Sequence, residues 1–264
     1  MLQLQDISMT FNEGTPDEKK ALQSINLELH KGEFVTVIGS NGAGKSTMMN
    51  VISGTLFPDV GDVIIDGNQV VNLPEYKRSQ FIGRVFQDPM SGTAPSMTIE
   101  ENLAMAYARD KKRSLKVGVT KQRKALFRDY LHTLDLGLED RLNAKVGLLS
   151  GGERQALSLL MVTFTNPNIL LLDEHTAALD PSRAALITKL TKGVVEKSEL
   201  TTLMVTHNMQ QALDLGTRLI MMDKGKIILD VDGQEKQDLT IEGLMDAFQE
   251  RQGTAFKSDR SVLG

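Results

Sequence analysis

The 264-residue chain has no cysteine, which removes disulfides, zinc fingers, iron–sulfur ligation and thiol catalysis together and fits a reducing compartment. It also lacks a basic excess. Its 30 Lys and Arg stand against 34 Asp and Glu, a formal charge of −4, so a general nucleic-acid binder is a poor expectation. No apolar run approaches the roughly 18 residues that span a bilayer. The candidates are short stretches such as Leu157 to Phe164 and Ile169 to Leu172, and the chain is not expected to cross a membrane by itself. The opening MLQLQDISMTFNEG has no basic stretch followed by an apolar core, so no secretory signal is expected. Internal repeats, low-complexity tracts and long linkers are missing too. What is present, 41% hydrophobic and 24% charged residues, is the composition of a globular protein long enough to bury a large core.

Local texture changes twice along the chain. From Met1 to about Phe86 short strands alternate with turns: Leu2, Leu4, Ile7 and Met9, then Ile25, Leu27 and Leu29, then the apolar run Phe34 to Ile38, which reads as buried on both faces. From about Thr98 to Leu142 the spacing is helical. Ile99, Leu103 and Ala106 share one face, and Ala125, Leu126, Tyr130 and Leu134 share another. After Pro167 strands and helices alternate: Ile169 to Leu172, a helix from about Pro181, Thr202 to Val205, a helix from about Met209, then Arg218 to Met222 and Lys226 to Val231 around a turn at Lys224 and Gly225. That rhythm predicts a parallel sheet with helices on its faces, interrupted by an inserted helical lobe. The polar stretch from about Gly253 is expected to be loose.

Directly after the buried strand stands Gly39-Ser40-Asn41-Gly42-Ala43-Gly44-Lys45-Ser46-Thr47, which fits G-x-x-x-x-G-K-[ST] at every fixed position. The chemistry dictates these residue types. Glycines let backbone N–H groups curl around phosphate oxygens, and the helix that follows points its positive end at the same anion. Lys45 brings a mobile charge to the β and γ phosphates, Ser46 is placed to ligate Mg²⁺, and Thr47 reaches the α and β phosphates. A Gly-rich turn that merely starts a helix is the bland alternative.

Ile169 to Leu172 run into Asp173 and Glu174, as expected where one carboxylate sits beside Mg²⁺ at the carboxyl edge of a parallel sheet. Asp173 is the metal-side acid. Glu174, one residue on, is expected to point elsewhere, where a carboxylate near the γ-phosphate can polarise the attacking water as general base. His207, just beyond Thr202 to Val205, is placed to donate a hydrogen bond to a γ-phosphate oxygen and to orient that base. Gln87, after Val85 and Phe86, brings a neutral amide to Mg²⁺ or its water. Each of these residues has an ordinary structural reading when taken alone.

With Leu149-Ser150-Gly151-Gly152-Glu153-Arg154-Gln155 in view, the sequence resembles the nucleotide-binding subunit of ATP-binding cassette (ABC) transporters. The likeness runs from Leu2 to about Val231. It implies an α/β fold: a P-loop NTPase core with a mostly parallel sheet, an N-terminal antiparallel β-subdomain and an inserted α-helical subdomain. A single domain over 1–239 is expected, its catalytic lobe formed by 1–87 and 165–232 and its helical signature subdomain by about 88–164. A C-terminal helix and loose tail would fill 240–264. The family's landmarks map onto Phe11 for adenine stacking, Gln87 for the Q-loop, Ser150 to Gln155 for the signature, Asp173 and Glu174 for the acid pair, Ala178-Leu179-Asp180 for the D-loop and His207 for the switch histidine. Nucleotide contacts are thereby implied for Phe11, for Gly39 through Thr47, and for Ser150, Gly151, Gly152, Glu153, Gln155 and Asp180. Two departures stand out: Glu153 where many members have Gln, and His175 where Pro is usual. The second sets an ionisable imidazole beside Glu174, where it would tune the base.

Physically, Ser150-Gly151-Gly152 at a helix start is a second anion cradle with free N–H groups facing outward. The resemblance implies why one chain carries two: copies meet head to tail, each ATP clamped between the Lys45 loop of one and the Ser150 loop of the other. It further implies ATP and Mg²⁺ as ligands, an integral membrane permease as partner, indirect service to an extracytoplasmic substrate-binding protein, and a peripheral place on the cytoplasmic face of the membrane. The stretches around Ile82 to Met90 and Asp173 to Asp180 look like a bacterial importer subgroup, with tryptophan-like or related small solutes as cargo. The alternative is a soluble ATPase of the same type acting in assembly or regulation without a permease. A P-loop kinase or GTPase leaves Ser150-Gly151-Gly152 unexplained.

Overall fold

The computed structural model describes residues 1–109, 118–164 and 166–252. In chain order these form β1 (Leu2–Phe11), β2 (Lys19–Leu29), β3 (Phe34–Gly39), α1 (Lys45–Ser53), β4 (Val60–Ile65), β5 (Asn68–Gln69), α2 (Glu75–Arg78) and β6 (Ile82–Val85). Then come α3 (Ile99–Tyr107), α4 (Lys121–His132), α5 (Gly151–Thr163), β7 (Ile169–Asp173), α6 (Pro181–Ser198), β8 (Thr201–Val205), α7 (Met209–Asp214), β9 (Arg218–Asp223), β10 (Lys226–Asp232), α8 (Gly233–Asp238) and α9 (Ile241–Gln252). The chain divides into two compact units, residues 1–79 with 199–264, and residues 80–198.

The first unit holds an antiparallel sheet in the order β2-β1-β4-β5. Its buried residues change parity along β1, from Leu2 and Leu4 to Ile7 and Met9. Strict alternation would turn Ile7 to solvent. A register shift between Leu4 and Ile7 absorbs the extra residue, with Asp6 at φ 51° in the left-handed region. Strand β2 makes the same adjustment around Ser24, at φ 49°, so that Leu22 and Ile25 are both inside.

Beside it in the same unit, β10, β9, β3 and β8 pair in that order, antiparallel at β10·β9 and parallel at β9·β3 and β3·β8. Phe34 through Ile38 and all five residues of β8 are buried, as strands covered on both faces require. The one hydroxyl in the middle of β3 is satisfied: Thr36 Oγ1 donates to the carbonyl of Ala212 at 2.9 Å. Helix α9 packs Leu244, fully buried, into a cluster with Ile38, Ala212, Leu219, Met221 and Val231. Helix α9 occupies part of the 240–264 stretch, and the tail expected to be loose lies outside the described residues.

In the second unit β6 and β7 pair in parallel, and all five residues of β7 are buried. Its helices share a core of Ile99, Leu103, Phe127, Leu131, Leu157 and Leu160 with their neighbours. Within α4 the buried residues are Phe127 and Leu131, and Leu134 is buried just beyond its end; Ala125 and Tyr130 are exposed and Leu126 is half-buried. Of the stripe expected from spacing, Leu134 is inside as read, whereas Phe127 and Leu131 take the inward places expected for Leu126 and Tyr130. Both stripes fit a helical period, and the larger apolar payload of Phe127 decides which one turns inward.

Candidate functional site

Strand β3 ends at Gly39, and the loop from Gly39 to Gly44 leads straight into α1. Gly39 and Gly44 are irreplaceable on steric grounds alone. A Cβ on Gly39, at φ +150°, would lie 2.1 Å from the carbonyl oxygen of Met222, and one on Gly44, at φ +102°, 2.5 Å from that of Ala21. The hairpin turn at Lys224 and Gly225 braces the loop: the Gly225 N–H donates to the Ala43 carbonyl at 2.9 Å, and Ser40 Oγ to Asp223 Oδ1 at 3.1 Å. Asp223 was not foreseen as part of this loop. Lys45 is buried, its ammonium donating to the carbonyls of Gly39 at 2.7 Å and Ser40 at 3.0 Å. Helix α1 has no side-chain N-cap and no acid in its first turn, whereas α3 and α5 both carry complete capping boxes. An α-helix leaves its first N–H groups without intrahelical partners, and this one offers no side-chain oxygen of its own to cap them. Asn41, Gly42 and Ser46 are exposed and Thr47 half-buried along the same loop.

His207 lies exposed two residues beyond β8, where the turn is pinned on both sides. Thr206 Oγ1 donates to Gln211 Oε1 at 2.7 Å, and Asn208 caps α7 by accepting from the Gln211 N–H at 2.9 Å. Phe11, half-buried, closes β1 opposite Lys19.

The second unit carries the acids. Asp173 ends β7 with 9% of its surface exposed, and its Oδ2 accepts from the Arg84 guanidinium at 2.7 Å. Glu174 follows at φ 45°, a left-handed conformation that is uncommon for a residue with a side chain and that concentrates at functional turns. The Ala177 N–H closes this turn onto the Glu174 carbonyl at 2.9 Å. His175 is the imidazole that the sequence set beside Glu174. It is buried, its Nε2 lies 3.0 Å from Thr191 Oγ1 on α6, and burial pushes its pKa down to about 4, so it is neutral near pH 7.

Ser150 is the N-cap of α5. Its N–H donates to Glu153 Oε2 at 2.7 Å, and the Glu153 N–H returns a bond to Ser150 Oγ at 3.3 Å. One of the N–H groups expected to face outward is thus taken within the chain. Burial raises the Glu153 carboxyl, but Ser150 and Arg141 outweigh it and hold the group below the usual range. Gly151 and Gly152 admit close neighbours: a Cβ would lie 3.2 Å from Leu179 and 3.1 Å from Arg183, respectively. Gln155 is fully buried, its amide donating to the Phe86 carbonyl at 3.1 Å, beside exposed Gln87. The Asp180 carboxylate accepts from the Ser182 hydroxyl at 2.6 Å and the Arg183 N–H at 3.1 Å, and these bonds with the Arg183 charge hold it below its usual range. Both Gln155 and Asp180, predicted nucleotide contacts, are engaged by neighbours in their own unit.

Ser46, Gln87 and Asp173 offer a hydroxyl, an amide and a carboxylate, hard oxygen donors of the kind Mg²⁺ takes. Among the described residues no group of three or more His, Asp or Glu side chains is arranged to hold a metal. Ser46 belongs to the first unit, and Gln87 and Asp173 to the second. No helix among the described residues is long and apolar enough to cross a membrane.

Comparison with known proteins fits this geometry. Residues 22–177 match the family model described as ABC transporter. The chain is 44% identical over 249 residues to a tyrosine transport ATP-binding protein of Clostridioides difficile, covering 94% of this chain and 99% of that one. It is 33% identical to a xylose/arabinose import ATP-binding protein of Sulfolobus acidocaldarius, covering 94% of each. Among solved structures it resembles a dimeric ATP-binding cassette bound to ADP and phosphate, with 30% identity, a TM-score of 0.75 and coverage of 88% and 98%. An ATP-binding cassette in its ADP conformation is similar, with 27% identity, a TM-score of 0.75 and coverage of 94% and 98%. With the phosphate loop, the acid pair and the Ser150 helix on one ABC ATPase fold, the chain belongs to the ABC transporter family, as an ATP-binding subunit.

Proposed function

We propose that this chain hydrolyses ATP to ADP and phosphate and uses the cycle to drive a membrane permease that imports a small solute. The observation that carries this reading is the braced loop from Gly39 to Gly44 leading into α1, whose start lacks any side-chain cap. With nucleotide bound, Lys45 Nζ would exchange its carbonyl partners for the β and γ phosphates, Ser46, Asp173 and Gln87 would hold Mg²⁺, and Phe11 would stack on adenine. When bound, Mg²⁺ neutralises charge building on the phosphate oxygens. Glu174 accepts the proton of a water that adds to the γ-phosphorus, the bond to the bridging oxygen breaks, and His207 donates a hydrogen bond to a γ-phosphate oxygen.

Two copies meet head to tail around two Mg-ATP, the Ser150 loop of each closing on the nucleotide of the other with Asp180 beside it. Such a pair sits peripherally on the cytoplasmic face of the membrane beneath its permease, served by an extracytoplasmic binding protein. Likeness to a tyrosine transport ATP-binding protein favours an aromatic amino acid as cargo. Glu174→Gln tests the chemistry: ATP binding is retained while hydrolysis falls at least about 100-fold, the usual contribution of a general base. Unchanged turnover removes Glu174 from that role. A tagged chain that recovers a multi-spanning membrane protein supports the permease, and recovery with soluble proteins alone supports the assembly ATPase instead.

A further inference from the structure

Arg84 has been given no role above, yet its guanidinium pairs with the metal-side acid. On β6 it lies opposite Leu171 of the parallel neighbour β7, and Asp173 is two residues further on, where a strand returns its side chain to the same face. Nη2 donates to Asp173 Oδ2 at 2.7 Å, with the two side chains 11% and 13% exposed. The guanidinium carbon stands 4.8 Å from the centre of the Phe86 ring. Phe86 in turn accepts, through its carbonyl, the amide of buried Gln155 on the signature helix at 3.1 Å, and it directly precedes Gln87. One planar side chain therefore spans from the acid at the end of β7 to the residue that begins the Q-loop.

We propose that Arg84 is a positioning residue for Mg²⁺: it holds the Asp173 carboxylate by one oxygen, so that the carboxylate meets the ion in a fixed orientation relative to Gln87. This rests on the reading of Asp173 as the metal-side acid. Carboxylates that ligate metals are themselves oriented by outer hydrogen bonds, and loss of such a partner typically weakens metal binding about 10- to 100-fold. Lysine cannot replace the fork and the stacking plane together, so Arg84→Lys keeps the charge without the geometry.

The test titrates Mn²⁺, a paramagnetic stand-in for Mg²⁺, into the full chain loaded with a non-hydrolysable ATP analogue, with bound ion read by electron paramagnetic resonance. Arg84→Met is expected to weaken Mn²⁺ at least about tenfold, and Arg84→Lys to fall between it and the wild type. Binding of the analogue in EDTA, which reports on the Lys45 loop, stays within about twofold in both. Mn²⁺ binding that is unchanged or tighter in Arg84→Met overturns the proposal, since a tighter site means that the guanidinium competes with the ion. Should Arg84→Met not fold, Arg84→Lys decides: weaker Mn²⁺ supports the assignment and wild-type binding overturns it. A wild-type chain that takes up the analogue but no Mn²⁺ contradicts the underlying reading of Asp173 itself.

Discussion

His175 follows directly on the acid pair, and its burial against Thr191 makes the fold sensitive to acid. The folded imidazole has its pKa pushed down to about 4, against 6.5 for an ordinary histidine. Between those values the unfolded chain binds a proton that the folded chain refuses, so stability present above pH 6.5 is lost as pH falls toward 4. The slope for one proton is about 1.4 kcal/mol per pH unit. Chemical denaturation should therefore show wild type losing about 2 kcal/mol more than His175→Gln between pH 7 and pH 5. A difference between the two that is independent of pH would contradict a buried neutral imidazole. Carboxylates held low, such as Asp180 and Glu153, titrate alike in both proteins and cancel. At this scale the residues within one short motif, from Gly39 to Thr47, were legible because the chemistry fixes their spacing. Partners such as Asp223 for Ser40 and Arg84 for Asp173 were not, because they stand 183 and 89 positions away with no local pattern to announce them.

Among the elements, strands buried on both faces were the most readable, since β3, β7 and β8 are continuous apolar runs. The first two strands look regular in sequence and are not. Asp6 and Ser24 each adopt positive φ to let the buried set change parity, which no alternation pattern records. Helix α4 shows the limit of periodicity, because the stripes through Leu126 and Phe127 fit the same period. Phe127 is fully buried, stacked on Phe164 with centroids 6.1 Å apart and edge-on to Tyr107 at 6.0 Å. Phe127→Ala should cost about 3 to 5 kcal/mol in an unfolding titration. Leu126→Ala, on the half-buried flank, should cost less than half as much, and equal losses would return the inward face to the stripe expected from sequence.

For the whole molecule, the proposed nucleotide residues are divided between the two compact units, Lys45 and His207 in one, Gln87, Ser150, Asp173 and Glu174 in the other. In the proposed pairing, the Ser150 helix start of each chain closes on the nucleotide held by the Lys45 loop of the other. Fold and family were legible from the order of the motifs, whereas head-to-tail pairing is a property of two chains. The most direct measurement is the solution mass of Glu174→Gln by size-exclusion chromatography with light scattering, in saturating ATP and Mg²⁺ and again in ADP. Twice the chain mass in ATP, returning to a single chain mass in ADP, is the predicted result. A single-chain mass with ATP demonstrably bound at full occupancy would contradict it.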